Sequence, residues 1–406
     1  MRILALSAQV PYPPHHGKAM RDYHLLAGLA RRHGVELLCL VRDEAEAAAA
    51  APLAGLFPFR AVTRPALQLP RRLAALALSG RPDMVWQTSS PEFRQALVSS
   101  LEKERPDLLL VEGLEMAAYG LEARQRSGIP VVLDEHNAEH LIQQRAWEIA
   151  RRRPPDWPKA LYSWLQARRL RRFEGHACRT LAHVIAVSAE DRRALERLAP
   201  GIHVTVIPNG LDTEEYAPLT TAAPPGPPRV VFTGQMSYRP NVDAVQWFAA
   251  AIWPLIREQE PQAHFQIVGR DPPPQVQALG RLAGIEVTGP VPDDRPYIGG
   301  ADVYVLPMRF GGGVRFKLLQ ALSMERAMVS TPLGAEGVEG LHDREHLFLA
   351  ETAAAFSGGV VHLLRHPQER ARLGAAGRAL IQAHYDWRAL VPRFAAALEA
   401  AGRQEV

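Results

Sequence analysis

The chain is punctuated by short, almost wholly apolar runs, each closed by turn residues and followed by a longer mixed stretch. In the first half these runs are Ile3–Ser7, Val35–Val41, Leu108–Val111, Val131–Asp134, Val184–Val187 and Val204–Ile207. In the second half they are Val230–Thr233, Phe265–Val268, Ile285–Thr288, Val303–Leu306, Met328–Ser330 and Leu347–Leu349. Runs this apolar suit strands covered on both faces, as in a parallel sheet. The stretches between them carry helical spacing, as with Leu25, Leu26 and Leu29. Alternating strands and helices build parallel α/β units, and the series runs twice. The expected fold is two Rossmann-like, doubly wound α/β domains.

At 406 residues and 47% apolar content, the chain supports two cores. Their boundary is read at the turn Pro208-Asn-Gly-Leu-Asp212 and the stretch Ala217–Pro228, which holds five prolines and a glycine. The expected plan is a first domain over 1–207, a linker over 208–228 and a second domain over 229–382. A tail over 383–406 follows, with a helix near Trp387–Ala400 that can cross back to the first domain, a return the sequence alone does not show.

Several classes of function are excluded at this level. No stretch reaches the ~18–20 apolar residues of a membrane span. The opening segment Arg2–Ala8 reads as a strand, because Pro11 and Pro13 follow at once without a cleavage region. Two lone thiols, Cys39 and Cys178, fit a reducing cytoplasm and give no metal site. The net charge of +4 is modest, but from Arg151 to Arg172 there are eight basic residues and one acid. Trp157, Tyr162, Trp164 and Leu165 are interleaved with them. Segment 151–172 therefore reads either as a solvated helix or as a peripheral contact with an anionic membrane. No nucleic-acid recognition motif accompanies it.

Ligands of open parallel sheets bind beyond the carboxyl ends of the strands, so the loops there carry the candidates. The strongest follows Leu306, where Gly311, Gly312 and Gly313 lead through Val314 into a helix. Glycines permit close backbone approach, and helix-start amides favour an anion such as a diphosphate. Arg315 and Lys317 add cations, and Lys317 shares a helix face with Gln320. Lysine is scarce, at four residues, and Lys317 is the only one after Lys159. After the first strand, Gly17 and Lys18 offer a second anion or acceptor contact at a helix start. After Leu133-Asp-Glu, His136 stands where a catalytic or sugar-binding side chain belongs. Gly269 and Arg270, with the Thr288–Val291 turn, are placed to read a nucleobase edge. There is no D-x-D pair and no metal-ligand spacing, so no metal or other cofactor is expected. Neither half opens with G-x-G-x-x-G, which argues against a nicotinamide oxidoreductase.

In order and spacing these segments resemble the GT4-type family of retaining glycosyltransferases of GT-B fold, including bacterial transferases of exopolysaccharide systems. The resemblance rests on the Pro-rich loop ending at Gly17, Val132-Leu-Asp-Glu-His-Asn137, Val184-Ile-Ala-Val-Ser188, Val206-Ile-Pro-Asn-Gly-Leu-Asp212, Val231-Phe-Thr-Gly234, Phe265-Gln-Ile-Val-Gly269, Val287-Thr-Gly-Pro290 and Gly311–Ala321. It implies transfer of a sugar from a nucleotide diphosphate, UDP in preference to GDP, to a saccharide or lipid-linked acceptor. It implies retention without a metal, in cell-surface polysaccharide synthesis. His136 would contact the donor sugar, and Arg315 and Lys317 would bind the diphosphate and stabilise the leaving group. Gly17, Lys18, Gly234, Arg239, Gly269, Arg270, Val291, Gly311–Gly313, Val314 and Gln320 would line the substrates. Two departures stand out. Gly312 and Gln320 occupy the places of the family's two glutamates. Gln235 replaces the first residue of a basic pair, leaving Arg239 as the nearby cation. A weakly active sugar-nucleotide-binding partner subunit, or an epimerase on the same fold, are the alternative readings.

Overall fold

The computed structural model describes residues 1–14, 17–65, 72, 79–151, 157–219, 226–310 and 316–403. The chain forms two compact units, Met1–Asn209 with Leu390–Val406, and Gly210–Ala389.

The first unit holds seven parallel strands: β1 (Arg2–Ser7), β2 (Gly34–Val41), β3 (Phe59–Thr63), β4 (Leu108–Glu112), β5 (Val131–Glu135), β6 (His183–Ala186) and β7 (Val204–Val206). Their order is β3-β2-β1-β4-β5-β6-β7. Leu108 to Glu112 and Val131 to Glu135 are buried at every position, as strands with both faces covered must be. Each buried Leu or Val here contributes roughly 1.5–3 kcal/mol through removal from water. β3 escapes a search for apolar runs. It is an edge strand of sequence Phe-Arg-Ala-Val-Thr, half-exposed along its length, and its polar residues hide the pattern. Cys39 and Cys178 are both buried and free.

The second unit holds six parallel strands: β8 (Arg229–Thr233), β9 (His264–Val268), β10 (Ile285–Gly289), β11 (Val303–Leu306), β12 (Met328–Ser330) and β13 (Phe348–Leu349). Their order is β10-β9-β8-β11-β12-β13. Phe232, Phe248 and Phe265 are fully buried in its core, with the Phe248 and Phe265 rings 4.4 Å apart.

The chain passes from one unit to the other at Asn209–Gly210, within the Pro-containing span 208–228. Leu211 and Tyr216 in that span pack into the second unit's core. The last helix, Trp387–Arg403, enters the first unit from Leu390 onward. There Phe394 and Leu398 are buried and Arg393 donates to the Val206 carbonyl at 3.2 Å.

Each sheet starts at an inner strand, winds to one side, then returns to the other. The order therefore reverses between β1 and β4 in the first unit and between β8 and β11 in the second. Such switch points leave a crevice beyond the strand ends where ligands bind.

Candidate functional site

In the first unit the strand register sets the site. Ser7, Glu112 and Asp134 are Cα partners across the ends of β1, β4 and β5. His136 follows β5 directly. The helix Gly17–Leu29 brings Lys18, Arg21 and Asp22 over the same ends on its first turns. Arg21 is 1% exposed and grips Asp134 with two bonds of 2.8 Å, Nε to Oδ2 and Nη2 to Oδ1. Its Nη1 donates to the carbonyls of Ile207 at 2.9 Å and Pro208 at 3.1 Å. Lys18 pairs with Glu115 and donates to the Glu112 carbonyl at 3.3 Å. Ser7 donates to Asp22 Oδ2 at 3.1 Å.

His136 sits among the acids. Its Nε2 lies 3.3 Å from Glu112 Oε2, 3.6 Å from Asp22 Oδ1 and 3.7 Å from Asp134 Oδ2. Burial, with Lys18 nearby, lowers its pKa to about 3, so the ring is neutral at physiological pH. Burial raises Asp22 to about 7 and lifts Glu112 well above the carboxylate range, where Asp22 and Asp134 repel its charge further. Asp134 and Glu115 also lose solvation, but Arg21 and Lys18 outweigh that and hold them below their ordinary values. Two cations thus match two carboxylates, leaving Asp22 and Glu112 without a cation of their own. Glu112 and Asp134 are in hydrogen-bonding contact, which requires a proton on one of them. Asp22 Oδ1 and Glu112 Oε1 have no hydrogen-bond partner among the described residues. Asp22, Glu112 and His136 bring ligand atoms within 4.8 Å of one another, a spacing that would fit a cation and that chain order does not reveal.

The second unit uses backbone in place of carboxylates. Gly234 ends β8 with φ 150°, and Gly269 ends β9 with φ 148°. A Cβ on Gly269 would stand 1.8 Å from the Gly234 carbonyl oxygen. A Cβ on Gly234 would stand 2.6 Å from Lys317 Nζ. Only glycine fits either place. Lys317, on the helix Phe316–Ser323, reaches over the end of β8. Its Nζ donates to Asn241 Oδ1 at 2.7 Å and lies 4.4 Å from the Phe232 ring centroid. Asn241 in turn donates to the Gln235 carbonyl at 2.8 Å. Arg270 reaches the Gln235 side chain at 3.5 Å.

Thus Gly234, Gly269 and Lys317 come together, with Arg270 beside them through Gln235. Arg239 begins the helix Arg239–Trp247 and lies over Phe310 at 5.7 Å. Val291 packs against the core after β10. Gln320 is half-buried on the Lys317 face, in hydrogen-bonding contact with the Tyr216 hydroxyl. Gly17 opens the helix that carries Lys18. Gly311, Gly312, Gly313, Val314 and Arg315 lie outside the described residues. Sequence reasoning missed Asp22, Arg21, Glu112, Glu115, Asp134 and Asn241. A signal existed for two of them: Leu-Leu-Leu-Val-Glu and Val-Val-Leu-Asp-Glu are apolar strands ending in acids at the ligand-facing end.

Known proteins resemble the chain in both halves. Residues 22–215 match the family described as Glycosyltransferase Family 4, and residues 227–366 match Glycosyl transferases group 1. An uncharacterized 44.6 kDa protein of the cps region of Klebsiella pneumoniae is 23% identical over 165 residues, which are 39% of this chain and 42% of that protein. The match thus spans about two fifths of that relative's length. Among solved structures, sucrose-phosphate synthase of Thermosynechococcus elongatus superposes with TM-score 0.70 at 17% identity, covering 100% of both chains. Anabaena HepE in complex with UDP and glucose superposes with TM-score 0.65 at 14% identity, over 98% of this chain and 100% of that one. At these identities the structures establish the fold.

Proposed function

As the chain belongs to the group 1 glycosyltransferases of GT-B fold, we propose that it moves a sugar from UDP to a saccharide or lipid-linked acceptor with retention, in cell-surface polysaccharide synthesis. The observation that supports the second unit as the donor side is the seat formed by Gly234 and Lys317 at the end of β8, beside the β8–β11 switch point, with Gly269 at the end of the neighbouring β9. The end of β8 carries no side chain at Gly234, and the Lys317 ammonium stands over that backbone. A diphosphate needs that combination. Transfer breaks the bond between the anomeric carbon and the diphosphate oxygen and forms one to an acceptor hydroxyl oxygen, whose proton passes to the departing phosphate. Negative charge grows on the departing phosphate, where Lys317 and Arg315 act without a divalent ion. The neutral His136 ring, among proton-bearing carboxyls, is suited to hydrogen-bonding sugar hydroxyls.

Thermal-shift measurements against UDP, GDP, their sugar conjugates and NAD, with and without EDTA, test this reading. Stabilisation by one UDP-sugar that survives EDTA is the expected result. Stabilisation by NAD alone would overturn it. Loss of the shift in EDTA would refute the metal-free part and direct attention to Asp22, Glu112 and His136.

One observation favours a second reading, donor binding with little turnover: Gln320, in place of a glutamate, is engaged with Tyr216. Under the leading reading Gln320→Glu changes transfer only a few-fold. A rise from undetectable transfer to measurable turnover would establish the second reading instead. Conversion of the nucleotide sugar without any acceptor would instead reveal an epimerase.

A further inference from the structure

The helix Trp157–Thr180 is 24 residues long, and its two sides differ in kind. Ala160, Ser163, Gln166, Leu170, Glu174, Ala177 and Cys178 face inward and are buried. On the outer side, Trp157 is 59% exposed, Leu161 65% and Trp164 38%. Spaced i, i+4 and i+7, these three form one stripe along the helix. Arg168 continues it one turn on, its guanidinium 5.0 Å from the Trp164 ring, and exposed Arg171 and Arg172 follow. Lys159 is exposed at the other end. From Trp157 to Arg172 there is no acidic residue. The one acid further along, Glu174, faces inward and pairs with His140 at 2.7 Å.

Isolated exposed apolar side chains are ordinary, whereas clusters mark an interaction surface. Four of the eleven exposed large apolar residues among those described, Trp157, Leu161, Tyr162 and Trp164, fall in this one eight-residue stretch. Among the described residues no helix is long and apolar enough to cross a membrane. We propose that this helix face lies on an anionic lipid surface, with Trp157, Leu161 and Trp164 entering the headgroup boundary and Arg168, Arg171 and Arg172 meeting lipid phosphates. The chemistry fits that occupant closely. Indole and leucine side chains partition into the bilayer interface, and a row of cations is drawn to negative headgroups. An acidic protein partner would meet the cations, but it would not distinguish lipid compositions. The contact deepens the transferase reading by implying a membrane-borne, lipid-linked acceptor, and in that respect alone it rests on that reading.

Co-sedimentation of the full chain with phosphatidylglycerol–phosphatidylcholine vesicles, against phosphatidylcholine alone, tests the contact without requiring catalysis. The chain is expected to pellet with the anionic vesicles and to be released as salt rises. Replacing Trp157, Leu161 and Trp164 together by Ala should lower partitioning about tenfold or more. Replacing Arg168, Arg171 and Arg172 by Gln should remove the preference for anionic lipid. All these side chains are solvent-exposed, so both variants should keep the wild-type melting temperature and UDP response. Wild-type protein that stays in the supernatant with anionic vesicles overturns the proposal, as does equal binding by either variant. A failed vesicle assay with an intact UDP response refutes the surface and leaves the transferase reading standing.

Discussion

The two units place their candidate residues at the same topological point by opposite means. In the first, the crevice between β1 and β4 is filled by buried acids and their counter-ions, Arg21 with Asp134 and Lys18 with Glu115, around a neutral His136. In the second, the end of β8 beside β11 carries no side chain at Gly234, Gly269 of the neighbouring strand end lies against the Gly234 carbonyl, and Lys317 stands over β8. One sheet end offers a neutral imidazole and buried carboxyls held by ion pairs, and the other offers backbone and a cation. A shared strand order therefore decides where ligands bind, while the residues ending each strand decide their chemistry.

Several changes would break or sharpen this contrast. The largest effect is expected from Arg21→Ala, which leaves Asp134 buried and uncompensated and should cost the first unit about 3–5 kcal/mol. Denaturant unfolding followed by probes in each unit measures it. Arg21→Lys should recover only part, since an ammonium lacks the two-pronged fork. A loss below about 1 kcal/mol would mean that the acids do not depend on Arg21.

Next comes Gly269→Ala. A Cβ there collides with the Gly234 carbonyl at a left-handed φ, so a loss of about 3 kcal/mol confined to the second unit is expected. Equal destabilisation of both units would erase the contrast.

Two functional variants follow. Lys317→Ala should weaken UDP-sugar affinity and turnover together, by roughly 10–100-fold, through loss of a charge-assisted contact. His136→Ala should lower turnover while leaving UDP affinity near the wild-type value, read by calorimetry and initial rates. If His136→Ala weakens UDP as much as Lys317→Ala does, the donor's phosphates are not confined to the second unit.

The mildest test is pH. In the folded first unit Asp22 and Glu139 are raised to about 7, and Glu112 and Glu135 well above the usual range, in each case chiefly by burial. A raised acid stabilises the fold while protonated, so its contribution is full below the unfolded pKa of about 4 and is lost as pH rises through 7. His136, lowered to about 3, works in the opposite sense, and its contribution is lost as pH falls below about 6.5. The acids outnumber it, so the first unit's unfolding midpoint should fall between pH 5 and 8. Asp22→Asn should flatten that slope. A flat wild-type profile would mean that these acids stay ionised in the folded chain.

Parts of this arrangement were legible early. Apolar runs marked β1, β2 and β4–β13, most plainly the inner strands such as β4 and β5, because a strand buried on both faces has no room for polar alternation. β3, Phe-Arg-Ala-Val-Thr, was not legible, because Arg60 interrupts its short apolar run. Gly269 after β9 was marked as a nucleobase contact and Gly234 after β8 through the family resemblance, and the scarcity of lysine singled out Lys317. Asp22 and Arg21 gave no such signal. Polar residues on the first turns of a helix look solvent-facing, and these two are buried only because that helix packs across the ends of β1, β4 and β5.

The order of apolar runs and turn residues by itself determined two parallel-sheet units with ligand-binding ends, since periodicity and burial are local properties of the chain. Only the tertiary structure decided that Ser7, Glu112 and Asp134 stand side by side and that His136 lies among three acids. Register between strands about a hundred residues apart is set by the packing of whole elements, and only burial turns ordinary carboxyls into proton-holding groups.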